Sequence, residues 1–100
     1  MTKRSVVIDK DLLGWADNHR EQLLKEYENI ICVGRDAALP QRSSDEKIAL
    51  HCKNENCDLL TADIEAYTCY FDVGVNTITI KRYDVERKSE KYIYLIKVAD

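Results

Sequence analysis

Apolar residues gather in five short runs along the chain, SVVI (Ser5 to Ile8), NIICV (Asn29 to Val33), CDLL (Cys57 to Leu60), NTITI (Asn76 to Ile80) and YIYLIKV near the end. The first two lack the apolar-polar alternation of a sheet with one wet face, which suits buried parallel strands. Between them Leu12, Ala16, His19, Leu23 and Tyr27 recur at spacings of three or four, one stripe of an amphipathic helix. Strand, helix, strand makes a right-handed βαβ unit. A polar connector, RDAALPQR, follows Gly34 and holds the only proline, Pro40, which stops the second strand and leaves a lip able to move. Ser43 with Glu46 three residues on reads as a capping box, so a helix is expected from Ser44, burying Ile48, Ala49 and Cys52. CDLL is then the third strand, Asp63 to Tyr70 a short helix and NTITI the fourth strand. The charged segment KRYDVERKSEK reads as an exposed hairpin loop or lobe, joining NTITI to an antiparallel last strand. The expected fold is a single three-layer α/β domain over residues 1–100, with a central mostly parallel sheet and a C-terminal antiparallel hairpin.

Composition narrows what such a chain does. One hundred residues can bury one modest core, leaving function to the rim. No run approaches the roughly 20 apolar residues of a membrane span, and no signal-peptide core follows the basic start, so a cytoplasmic protein is expected. A net charge of −3 argues against tight nucleic-acid binding through phosphates alone. The four cysteines form no CxxC pair and read as packed thiols. His51, Cys52 and Cys57 lack the second half that a structural zinc site needs.

The acidic residues carry the chemical signal. Asp9 closes the first strand, Asp45 opens the helix after the connector, and Asp63 and Glu65 follow CDLLT. Strand carboxyl ends and the helix starts after them share one rim of an open parallel sheet, the place where such folds bind ligands. Carboxylates gathered there repel one another unless a cation neutralises them or protons return, and hard oxygen donors suit Mg2+ or Mn2+. Each acid also has a structural account. Asp11 is well placed to cap the helix at Leu12, Asp45 would favour a helix dipole, Asp63 could cap the next helix, and Glu65 could be a solvated helix residue.

The order VVIDKDLL, LPQRSSDEKIAL and CDLLTADIEAY resembles the minimal PIN-like domains, small metal-dependent ribonuclease folds that include toxin components of toxin–antitoxin pairs. The resemblance spans most of residues 5 to 80. It implies a metal-dependent endoribonuclease with Asp9, Asp45, Asp63 and Glu65 as its catalytic metal ligands. One or two Mg2+ or Mn2+ ions would orient a scissile phosphate and activate a water. RNA would be the substrate and an antitoxin protein a partner. Glu65 stands where the family usually has Asp, and Ala66 where an aromatic is common. Arg35 and Arg42 on the connector are the expected phosphate contacts, and a homodimer would enlarge the substrate surface.

Two other readings compete. In a catalytically inactive PIN-like interaction module the acids persist as caps and the hairpin lobe meets a protein partner. A phosphoacceptor receiver domain would use the same early acids and Lys81, but the interval from Asp63 to Lys81 has no room for the further strand and helix it needs.

Overall fold

The computed structural model describes residues 4–75, 78–82 and 92–98. Five strands, β1 (Arg4–Ile8), β2 (Tyr27–Cys32), β3 (Asp58–Thr61), β4 (Ile78–Arg82) and β5 (Tyr94–Val98), form one sheet in the order β2-β1-β3-β5-β4. β1 lies parallel to both β2 and β3, while β5 runs antiparallel to β3 and to β4. The sheet is therefore mixed, half parallel and half antiparallel, which corrects the mostly parallel expectation. The α/β class and the antiparallel pairing of the last two strands agree with the sequence. Asn76 and Thr77 of the expected fourth strand, and residues 83–91 of the expected lobe, lie outside the described residues; Lys81 and Arg82 belong to β4.

Alternate side chains of the central strands serve two cores. Val7, Leu59 and Ile96 face helices α3 (Asp45–Glu55) and α4 (Thr68–Asp72), packing with Ile48, Ala49, Cys52, Ala66 and Tyr70. Val6, Ile8, Leu60 and Leu95 face the other way, onto Leu12 and onto Ala16 and Leu23 of α1 (Leu13–Asn18) and α2 (Arg20–Glu26). Both faces of the inner strands are thus dry, as their unbroken apolar runs require.

The helix expected over Asp63 to Tyr70 is a 3₁₀ turn, Ile64–Tyr67, followed by α4, and three other boundaries differ from expectation, each for a local reason. The single helix through Leu12 and Tyr27 is broken at His19, whose φ/ψ of −121°/20° leaves the helical region. His19 Nδ1 lies 2.8 Å from the Trp15 carbonyl oxygen, and its ring stacks on Trp15. Tyr27 keeps its buried place in the stripe but opens β2. Ser44, not Ser43, caps α3, its hydroxyl accepting from the Lys47 N–H at 3.1 Å. Ser43 is occupied one residue earlier, donating from its hydroxyl to the Pro40 carbonyl at 2.7 Å.

The connector is anchored at Leu39. Gly34 at φ +94°, a conformation that glycine adopts without strain, donates to the Leu39 carbonyl at 2.8 Å, and the Leu39 side chain is fully buried. α3 ends on Asn56 in the left-handed conformation, its N–H returning to the Cys52 carbonyl. No helix among the described residues is long and apolar enough to cross a membrane.

Candidate functional site

β1 and β3 run in the same direction, so Asp9 just after β1 and Asp63 just after β3 emerge on one rim. The Asp9 N–H continues the ladder by donating to the Leu60 carbonyl at 2.9 Å. The Asp9 carboxylate is buried, and both its oxygens are engaged. Oδ1 accepts the Lys10 N–H at 2.8 Å, and Oδ2 accepts the Thr61 hydroxyl at 2.7 Å. Asp9 itself caps the 3₁₀ turn Lys10–Leu12, and Asp11, expected to cap the helix at Leu12, lies exposed inside that turn while α1 starts without a side-chain cap.

Thr61 is completely buried at the last position of β3 and accepts the Asp63 N–H at 3.1 Å while donating to Asp9. Asp63 in turn caps the 3₁₀ turn Ile64–Tyr67, its Oδ1 accepting the Glu65 N–H at 3.0 Å. A hydrogen-bonded chain thus ties the ends of β1 and β3 together. Glu65 joins it through its backbone, and its side chain is exposed.

Asp45 reaches the same rim from the first turn of α3. Its carboxyl is raised above the ordinary carboxylate value, first by partial burial, then by the negative charges of Asp9 and Asp63, with Lys10 pulling it back. Asp9, Asp45 and Asp63 therefore share one electrostatic neighbourhood. Lys10, its counter-charge, and Thr61, its hydrogen-bonding bridge, were not anticipated. A lysine after the strand-ending acid and a threonine two residues before Asp63 are the signals that could have marked them.

The donor set has the hard oxygens that Mg2+ or Mn2+ takes. Its spacing is another matter, because among the described residues no three His, Cys, Asp or Glu side chains are grouped so as to hold a metal ion. The reason lies in the caps: Asp9 is turned onto Lys10 N and Thr61 Oγ1, and Asp63 onto Glu65 N. The expected ligands fit such an ion in chemistry and in their common rim, but not in a ready-made coordination shell.

Arg35 is committed elsewhere. Its guanidinium makes a two-pronged ion pair with Asp17 at 2.7 and 2.9 Å and holds that carboxyl below its usual range. Arg42 is exposed on the connector. Beside Asp63 opens a groove of about 420 Å³, walled by Asp11, Ala62, Asp63, Tyr92 and Tyr94.

The opposite rim, where β1, β2 and β3 begin, carries a buried ionic network that sequence reasoning missed. Asp58, 1% exposed, accepts Arg4 Nη1 at 3.1 Å on Oδ1 and the Tyr27 hydroxyl at 3.0 Å on Oδ2. Arg4 Nη2 also donates to Asn56 Oδ1 at 2.7 Å and to the Val98 carbonyl at 2.9 Å. This joins β1, β2, β3 and β5 at one corner. The four cysteines are free thiols, Cys52 and Cys57 buried, Cys32 and Cys69 half-buried. No protein-family model matches the chain, and no curated protein or solved structure matches it significantly.

Proposed function

We propose that the chain is a small PIN-like ribonuclease that hydrolyses RNA phosphodiester bonds with the help of Mg2+ or Mn2+. The observation that carries this reading is the placement of Asp9, Asp63 and Asp45 on one rim, where two parallel strands end and a helix starts. Negative charge concentrated at such a crevice is what a divalent cation relieves.

Asp9, Asp45 and Asp63 would hold the ion, and the ion when bound would supply the charge that orients a phosphate and eases deprotonation of water. The chain's own residues prepare this. Thr61 and the Lys10 N–H fix the Asp9 carboxylate, and the Asp63 backbone is fixed by the same threonine. Lys10 balances part of the charge on Asp45. Arg42 is the exposed connector arginine left to contact a phosphate, since Arg35 is engaged by Asp17.

A second reading is favoured by the capping bonds themselves. Asp9 and Asp63 each satisfy a turn and Asp45 sits in a first helical turn, which is all that a non-catalytic interaction module would ask of them. One experiment separates the two. Mixed RNA substrates are incubated with Mn2+ and wild type, Asp9→Asn or Asp63→Asn, with calorimetric titration of Mn2+ alongside. The ribonuclease reading expects nicking by wild type only and a Mn2+ isotherm that both substitutions flatten. No heat and no nicking would leave the module.

A further inference from the structure

The two edges of the sheet are built differently. Among the described residues β2 and β4 each pair with one neighbour only. β4 ends in exposed Lys81 and Arg82, charges of the kind that keep an edge from taking up another strand. Over residues 29–32, β2 has no such guard. It reads Asn-Ile-Ile-Cys, with neither charge nor proline, the composition of an interior strand. Ile30 packs on the core under α1 and α2 and Ile31 on the core under α3 and α4, and both are only half-buried. Each core is therefore left half-covered at this strand.

The backbone narrows the open stretch to one residue. The Val33 N–H donates to the Ile8 carbonyl at 3.1 Å, and alternate residues of a parallel strand bond the same neighbour. Ile31 thus also turns its N–H and C=O to β1, while Ile30 and Cys32 turn theirs off the sheet. The Cys32 carbonyl is already taken by the Arg35 and Asp36 N–H groups, at 3.0 and 3.1 Å. At the other end Glu28 is an extra residue, because Arg4 pairs with Tyr27 and Ser5 with Asn29. Between these limits Ile30 presents one donor and one acceptor on the same residue, a self-complementary pair. We propose that β2 is the interface of a homodimer, pairing antiparallel with β2 of a second copy about a two-fold axis at Ile30. The two Ile30 residues exchange N–H to C=O bonds, their side chains meet, and Glu28 of each copy lies opposite Cys32 of the other. An in-register parallel pairing would instead set Glu28 beside Glu28. Such a dimer forms whether or not the acidic rim takes up a metal.

Sedimentation velocity of the full chain over a range of concentrations tests this, with Ile30→Lys and, on the opposite edge, Thr79→Lys beside wild type. Wild type should shift from monomer to dimer as concentration rises. Ile30→Lys sets two like charges against each other at the axis and should weaken association about a hundredfold or more. Thr79→Lys should associate like wild type. Circular dichroism establishes that both variants fold, and amide exchange on wild type, followed by NMR, needs no variant. The Ile30 N–H should gain protection as concentration rises, while the Ile31 N–H, bonded to β1, should exchange slowly throughout. The interface is overturned by a wild type that stays monomeric at its highest soluble concentration, or by Ile30 exchange indifferent to concentration. Dimers that persist in folded Ile30→Lys, or that are lost in folded Thr79→Lys, overturn it equally.

Discussion

Thr61 donates its hydroxyl to Asp9 at 2.7 Å and accepts the Asp63 N–H at 3.1 Å, so one buried side chain sets the position of two acids from separate strands. Thr61→Val keeps the shape and removes both bonds. The buried Asp9 oxygen and the Asp63 N–H then lose a partner, at a cost of about 1–3 kcal/mol. Urea denaturation should show a loss of that size, with Thr61→Ser largely restoring the midpoint. If the acids take up Mn2+, the same change should weaken it by about tenfold, as loss of a group orienting a ligand does. A Thr61→Val protein with the wild-type midpoint would mean that the bridge holds nothing.

The Arg4–Asp58 pair predicts a larger effect at the other end of the sheet. Asp58 is almost wholly buried, and its charge is met by Arg4 and the Tyr27 hydroxyl. Arg4→Met leaves a buried carboxylate without its cation, which costs about 3 kcal/mol or more. Tyr27→Phe removes only the neutral donor and should cost about 1–2 kcal/mol. The two should not add, because both act on one carboxylate. A double-mutant cycle in urea measures the coupling, and strict additivity would show that they act independently.

Much of this fold could be read from the sequence, and the failures share a cause. The apolar runs marked where strands lie because buried strands need dry side chains on both faces, as Val6, Val7 and Ile8 have. Strand order is a different matter. β5 inserts between β3 and β4, a pairing across more than thirty residues that no local pattern encodes. The same limit applied at Tyr27, whose stripe position foretold burial but not that it would leave the helix for a bond to Asp58. At the acidic rim the strand-ending position of Asp9 was legible. Its orientation was not, because it depends on Thr61 across the sheet.

On the ribonuclease reading proposed above, Arg35 should prove dispensable. Its two-pronged bond to Asp17 joins exposed partners, 52% and 49% accessible, and engages the fork a phosphate would need. Arg35→Gln is expected to change the rate of RNA cleavage less than about twofold and to leave the urea midpoint where it was, as is common for exposed pairs. Arg42→Gln is the informative companion, expected to raise KM. A tenfold loss in Arg35→Gln would show that the pair opens to substrate.

Alkaline pH should loosen the α3 face of the core. Cys52 is fully buried against Tyr70, and burial pushes its thiol from 9.0 up to about 12. In the unfolded chain the thiol ionises near 9.0, so between those limits the folded state binds more protons and stability falls as pH rises. The contribution is complete below pH 9. By about pH 10.5 the loss from Cys52 should be on the order of 2 kcal/mol. Tyr70, raised from 10.0 in the same direction by its own burial and then by Cys52, adds to the loss above that value. Urea midpoints taken at intervals from about pH 8 to 10.5 should therefore decline. Cys52→Ala, whatever it costs in packing, should flatten the part of the slope that begins near pH 9. An unchanged slope in that variant would show that the thiol is not the group holding the proton.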